Sequence, residues 1–255
     1  MDPTKLAVGT GVAVLAVGGG YGVSALFNGG MPGYSAREVN KSDKKYVDDY
    51  PDYFVDASSG ANDGWWDWVF KNRYFDKEDS TSSKNPVPGS KFKGVKSGSK
   101  GSDSLKNKCK EVYLQDASKI NNTVTDDANK YFEADAWRYC TAVNKKPTNI
   151  PDPTDNSEKY DSGTFGETYK GKLVAISPED NKYFWDEQQR LFFENDGGRS
   201  GKKAEHKTFQ DLLNKKTGSV KATCVSLYKQ QTNANSDENF KKDLFKFCSL
   251  KGTEN

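Results

Sequence analysis

The stretch "ADAWRYCTAV" at residues 134–143 has a counterpart about a hundred residues later, "KDLFKFCSL" at residues 242–250. Each puts a bulky apolar residue three positions before a Cys, an aromatic just before it and a small hydroxyl just after it. The first set is Trp137, Tyr139, Cys140 and Thr141; the second is Phe245, Phe247, Cys248 and Ser249. Upstream of both, further segments match in the same order. "LKNKCKEVY" (105–113) pairs with "VKATCVSLY" (220–228) through a shared Cys-x-x-x-Tyr. "WWDWVFKNRYF" (65–75) pairs with "FWDEQQRLFF" (184–193) through Trp-Asp. The offsets fall from 119 to 115 to 108, as they would if the loops of the second half were shorter. One match would be chance. Three in order predict a diverged tandem duplication, and two copies are too few for a solenoid.

The apolar spacing within these segments is helical. Leu105, Cys109, Val112 and Tyr113 fall at i, i+4, i+7 and i+8. Ala128, Phe132, Ala136, Tyr139, Cys140 and Val143 form one stripe over 125–143. That period marks a helix with one buried face. Ser177-Pro178-Glu179-Asp180 reads as a helix start, with a capping hydroxyl, Pro at the first position and acids facing the macrodipole. Residues 206–216 and 219–231 read as two shorter helices, and Ser236 as the cap of the last one. Only "KLVAIS", 172–177, looks strand-like. The fold class expected is mainly α, with a first helical repeat over 44–150, a Pro-rich linker over 151–162 and a second repeat over 163–255.

The four cysteines divide equally between the halves. Four Cys allow three connectivities. The repeat favours Cys109 with Cys140 and Cys224 with Cys248, because a duplicated unit carries its own bridge. The competing reading is four reduced thiols acting as small apolar residues on helix faces. A zinc site is disfavoured, because there is no C-x-x-C pair and the single His lies in a polar segment.

Residues 6–27, "LAVGTGVAVLAVGGGYGVSALF", are 22 positions without a charge. About 20 apolar residues suffice for a helix to span a bilayer, and six glycines make a poor helix in water. The segment is read as a transmembrane anchor. A cleaved signal ending near Val23-Ser24-Ala25 is the competing reading. The apolar run continues through Leu26 and Phe27, which favours the anchor. Residues 28–43 read as a stalk. Arg37, Lys41, Lys44 and Lys45 follow the span and only Lys5 precedes it, which on charge alone favours a cytoplasmic C-terminal part. Long domains, however, translocate largely regardless of charge. The expected arrangement is therefore a single-pass protein of the cell membrane with an extracellular C-terminal domain. Gly18 and Gly22 form a GxxxG that can bring two membrane helices together; a dinucleotide loop at Gly18, Gly20 and Gly22 lacks the strand and helix it needs.

Lys+Arg 38 nearly cancels Asp+Glu 36, so no nucleic-acid partner is expected. No nucleophile elbow, zinc-protease helix or P-loop is present. His206 reads as a solvated surface residue. Asp and Glu are scattered, so no acid pair stands out. No catalytic, cofactor-binding or metal-binding residue is nominated. Residues 79–104 form a Ser/Gly/Lys loop, and seven lysines fall within 91–110. Lys91, Lys93, Lys96 and Lys100 are candidate contacts for an anionic cell surface or a protein ligand, against the alternative of a solvated flexible loop. Asn121-Asn122-Thr123 matches a glycosylation acceptor.

In "TKLAVGTGVAVLAVGGGYG" and in the "WRYCT" and "FKFCS" signatures, the chain resembles the uncharacterised paralogous membrane-anchored surface proteins of haemotropic mycoplasmas. The resemblance implies a short Leu/Ala/Gly-rich anchor before a polar, aromatic-containing ectodomain, and roles in antigenic variation and contact with red cells. It supplies no catalytic residues. The expectation is a surface protein acting by binding or antigenic display. The alternatives are a secreted or surface-bound hydrolase whose carboxylates converge only in three dimensions, and a structural envelope protein.

Overall fold

A computed structural model describes residues 30–40, 42–74, 87–123, 127–151, 158–194, 196–234 and 237–254. The uncharged segment 6–27 and Ser236 lie outside them. Among the described residues no helix is long and apolar enough to cross a membrane.

The chain is mainly helical. Its α-helices are α1 (Asp63–Arg73), α2 (Leu105–Tyr113), α3 (Glu133–Cys140), α4 (Phe165–Thr168), α5 (Lys182–Phe193), α6 (Lys207–Lys215), α7 (Val220–Tyr228) and α8 (Glu238–Cys248). Most are short, so side-chain caps matter. Ser104, Thr164, Ser219 and Asp237 each accept an N–H from the first turn of α2, α4, α7 and α8. Helices α1 and α5 follow single 3₁₀ turns, Gly60–Asn62 and Glu179–Asn181.

Each of those turns ends in a buried Asn whose amide is fully used. Asn62 Oδ1 accepts the Ser35 N–H at 2.9 Å, and its Nδ2 donates to the carbonyls of Ser35 (3.0 Å) and Asp56 (2.8 Å). Asn181 does the same with the Thr148 N–H (2.9 Å) and the carbonyls of Thr148 (2.8 Å) and Ala175 (2.9 Å). In both places the Asn clamps two extended segments, which are bridged at Ala36–Val55 and at Asn149–Val174.

Helices α3 and α8 end alike. Thr141 and Ser249 turn extended. Their hydroxyls donate back to Trp137 O and to Phe245 O, closing the last turn. The extended residues then bridge to Phe54 and Leu173. Tyr113 donates its hydroxyl to Val55 O (2.7 Å) and Cys140 O (3.3 Å); Tyr228 donates to Val174 O (2.9 Å) and Cys248 O (3.0 Å). A buried guanidinium completes each end. Arg73 donates to the carbonyls of Arg138, Thr141 and Ala142, and Arg199 to those of Lys246, Ser249 and Leu250. A cation at a helix C-terminus also opposes the negative end of the macrodipole.

The buried apolar residues of both halves form one contiguous core. Helix α5 lies where the halves meet. Its Glu187, Gln188, Gln189 and Arg190 are all buried. Tyr34 donates to Glu187, Tyr53 donates to Gln188 Oε1 at 2.9 Å, and Arg199 pairs with Asp52 at 3.1 Å. Phe184 packs against Tyr53 with ring centroids 5.8 Å apart.

Several expectations need correction. The stripe read over 125–143 is helical only from Glu133. Tyr131–Phe132 instead pairs in parallel with Ile120–Asn121, because the Asp/Asn-rich segment before it turns the chain rather than winding it. Ser177 does not cap a helix; the N–H groups of Ile176 and Ser177 are taken by the buried Glu158 carboxylate, at 2.7 and 2.9 Å. Residues 30–40 of the expected stalk are docked: Met31 is buried and Arg37 N–H donates to Phe54 O at 2.9 Å, while residues 42–43 are exposed. Thr148–Ile150, placed in the first repeat by sequence, hydrogen-bond to the second half through Leu173 and Ala175. Residues 172–177 reach only isolated bridges at Leu173 and Val174.

Candidate functional site

Four candidate contacts lie on the irregular segment before α2. This segment is held in place. The Asp135 carboxylate accepts the Gly89 N–H at 2.7 Å. The Tyr74 hydroxyl donates to Phe92 O at 2.9 Å and accepts the Val95 N–H at 3.1 Å. Asp67 Oδ1 accepts the Ser99 N–H at 2.9 Å. The N–H groups of Leu105 and Lys106 donate to Ser97 O (2.9 Å) and Gly98 O (3.0 Å). The expected alternative of a flexible loop therefore does not describe residues 87–104. Phe92 and Val95 are buried, while Lys93, Lys96 and Lys100 are exposed. Lys91 is half-buried, its Nζ 5.7 Å from the Tyr131 ring centre. Lys96 pairs with Asp103 at 3.0 Å and holds that carboxyl below its ordinary value. Of the remaining lysines in 91–110, Lys106 pairs with Asp63 at 2.7 Å and Lys108 with Glu111 at 3.3 Å.

His206 is half-buried rather than freely solvated. It caps α6, with Nδ1 accepting the Thr208 N–H at 3.3 Å. Its ring meets Phe240 edge-on at 5.2 Å. Nε2 lies 3.9 Å from Asp237 Oδ2, beyond hydrogen-bond reach. Asp243, fully buried on α8, accepts the N–H groups of Glu205 (2.9 Å) and His206 (2.8 Å). Burial pushes its carboxyl up, against the pull of those N–H groups and of Lys246. A surface depression of about 280 Å³ lies beside it, lined by Glu205, Glu238, Lys241, Lys242 and Glu254 among others. Two of its acids pair with lysines: Lys241 with Glu254 at 2.8 Å and Lys242 with Glu205 at 3.3 Å. Among the described residues no cluster of three His, Cys, Asp or Glu could hold a metal ion.

The cysteines form two bridges, Cys109–Cys140 and Cys224–Cys248, and none is free. All four are buried, so they fasten α2 to α3 and α7 to α8 and offer no nucleophile. The polar residues with the largest structural roles, Asn62, Arg73, Asn181 and Arg199, were not singled out in the sequence. The two Asn did carry a signal: each lies four residues before the aligned Trp, Asn62 before Trp66 and Asn181 before Trp185, directly ahead of the matched helices. Comparison with known protein families, with curated proteins and with solved structures finds no match.

Proposed function

We propose that this chain is a single-span surface protein, anchored through residues 6–27, whose helical ectodomain of two diverged tandem repeats acts by binding or antigenic display rather than by catalysis. The observation that carries the reading is the pair of buried disulfides that uses all four cysteines. Such bridges persist in oxidising surroundings outside the cytosol, and the uncharged segment supplies a route there. The duplication is supported by matched bonds at matched positions. Asn62 and Asn181, Tyr113 and Tyr228, and Thr141 and Ser249 make equivalent hydrogen bonds at offsets of 119, 115 and 108. A non-catalytic role is supported by His206 acting as a helix cap and by acids that are paired with lysines. The candidate contact face is Lys91, Lys93, Lys96 and Lys100, toward a host-cell surface or protein ligand, in keeping with the resemblance drawn from the anchor and the Cys signatures.

The test is protease treatment of intact cells carrying the full chain with a C-terminal tag, combined with carbonate extraction of membranes. Loss of the tag from intact cells and retention in the carbonate-washed pellet are expected. A variant lacking residues 6–27 is expected in the soluble fraction. A tag protected until the cells are lysed would overturn the orientation, and release of the full chain by carbonate would overturn the anchor.

A further inference from the structure

The lysine-bearing segment is more than a connection between helices. Between buried Phe92 and the cap Ser104 the chain is irregular and carries Lys93, Lys96 and Lys100. Between buried Phe209 and the cap Ser219 it winds into α6. The same spatial task, linking a buried aromatic to a capped helix, is thus met without this loop. Nor do its lysines add much to folding. The Lys96–Asp103 pair is exposed on both sides and such pairs contribute little. Lys93 and Lys100 have no ion-pair partner among the described residues. Yet the backbone is seated closely: a Cβ at Gly98 would come 2.4 Å from Trp66 O and from Asp67 Cα. Lys93 and Lys100 therefore stand exposed on a closely seated backbone with no structural need for their charge.

The chemistry of that surface narrows the partner. Nine peptide steps separate Lys91 from Lys100, a span of at most about 30 Å, so one linear polymer is long enough to reach from the first to the last. They are lysines, point charges without the bidentate geometry of Arg, which suits repeated anionic groups of variable spacing. The aromatic and branched residues of the loop, Phe92 and Val95, are buried. None is left to stack on nucleic-acid bases or to enter a bilayer. We propose that residues 91–100 form a docking surface for a linear sulfated polysaccharide, with Lys91, Lys93, Lys96 and Lys100 facing its sulfate groups. This deepens the surface-protein reading above and rests on it.

The test uses the full-length chain in detergent micelles and immobilised heparin as the probe. Saturable binding is expected, weakening roughly 50- to 150-fold for about a fourfold rise in salt, as counterions released by four contacts require. The variant K91Q/K93Q/K96Q/K100Q is expected to lose at least about tenfold in affinity. The variant K202Q/K203Q/K215Q/K216Q, with the same change in net charge elsewhere, is expected to keep it. Gly98→Ala keeps every lysine but unseats the loop, and it too is expected to weaken binding. Near-ultraviolet circular dichroism checks that each variant is folded. Equal loss in both quadruple variants, equal affinity for hyaluronate, or binding to phosphatidylserine vesicles but not to heparin would overturn the proposal. Protease treatment of intact cells reads exposure separately, so failure to bind heparin by an exposed chain overturns the ligand and leaves the location standing.

Discussion

At the scale of residues, the C-terminal ends of α3 and α8 are closed by polar groups from elsewhere in the chain. Tyr113 and Tyr228 each give one hydroxyl to two carbonyls, one on the extended segment and one at a bridged Cys. Tyr113→Phe and Tyr228→Phe are each expected to cost about 1–2 kcal/mol in urea denaturation, the loss of one buried donor and the stranding of its acceptors. An unchanged midpoint would mean that water replaces the hydroxyl. A second prediction concerns Asp48. Burial raises its carboxyl, but hydrogen bonds from Arg37 and from the N–H groups of Lys45 and Asn40 outweigh that and hold it below its ordinary value. A depressed carboxyl contributes stability that is present above the unfolded value, near 3.9, and is lost as pH falls through the folded one. The melting-temperature gap between the wild type and Asp48→Asn is therefore expected to be full at neutral pH and to close below about pH 4. The repeated Cys-x-x-x-Tyr was visible in the sequence, but the hydroxyl's partners were not. Arg73 and Arg199 were hidden more deeply. They sit at an offset different from that of the helices around them, so no alignment pairs them.

At the scale of elements, α2 with α3 and α7 with α8 form two disulfide-linked helix pairs. The bridges close segments with sequence separations of 31 and 24 residues. By the chain-entropy model each contributes roughly 3–4 kcal/mol. Cys109→Ala with Cys140→Ala, and Cys224→Ala with Cys248→Ala, are expected to lower stability by about 2–4 kcal/mol per pair in guanidinium melts. Non-reducing peptide mapping should recover the two bridged peptides; a crossed pair such as Cys109 with Cys224 would contradict the fold. The helices themselves were largely legible, because a 3.6-residue apolar stripe is local information. The start of α3 was not. Its stripe continues upstream through Phe132 and Ala128, yet Tyr131–Phe132 finds a β partner in Ile120–Asn121, a choice that periodicity does not encode.

At the scale of the molecule, the two halves share one core, and the seam between them is polar. The Glu187 carboxylate is buried with Arg190 and the Tyr34 hydroxyl. Burial first, and the Glu187 charge second, push the Tyr34 hydroxyl well above its ordinary value, so it stays a donor. Removing one member of a buried pair strands the other. Glu187→Ala is expected to cost about 3–5 kcal/mol. Because the core is shared, the whole described region is expected to unfold in one transition, with near- and far-ultraviolet signals superimposed. Two separated transitions in the wild type would show that the halves are independent units.

The sequence alone determined the helical stripes, the equal division of the cysteines, the uncharged segment at 6–27 and the run of lysines, because each is written in neighbouring residues. The tertiary structure alone decided that Glu187, Gln188 and Arg190 face the seam, that Arg73 and Arg199 cap helices more than forty residues away, and that the lysine loop is seated on α1 at Gly98. Buried polar groups must find partners wherever packing brings them. Those partners here lie 50 to 153 residues distant in the chain, beyond the reach of any local pattern.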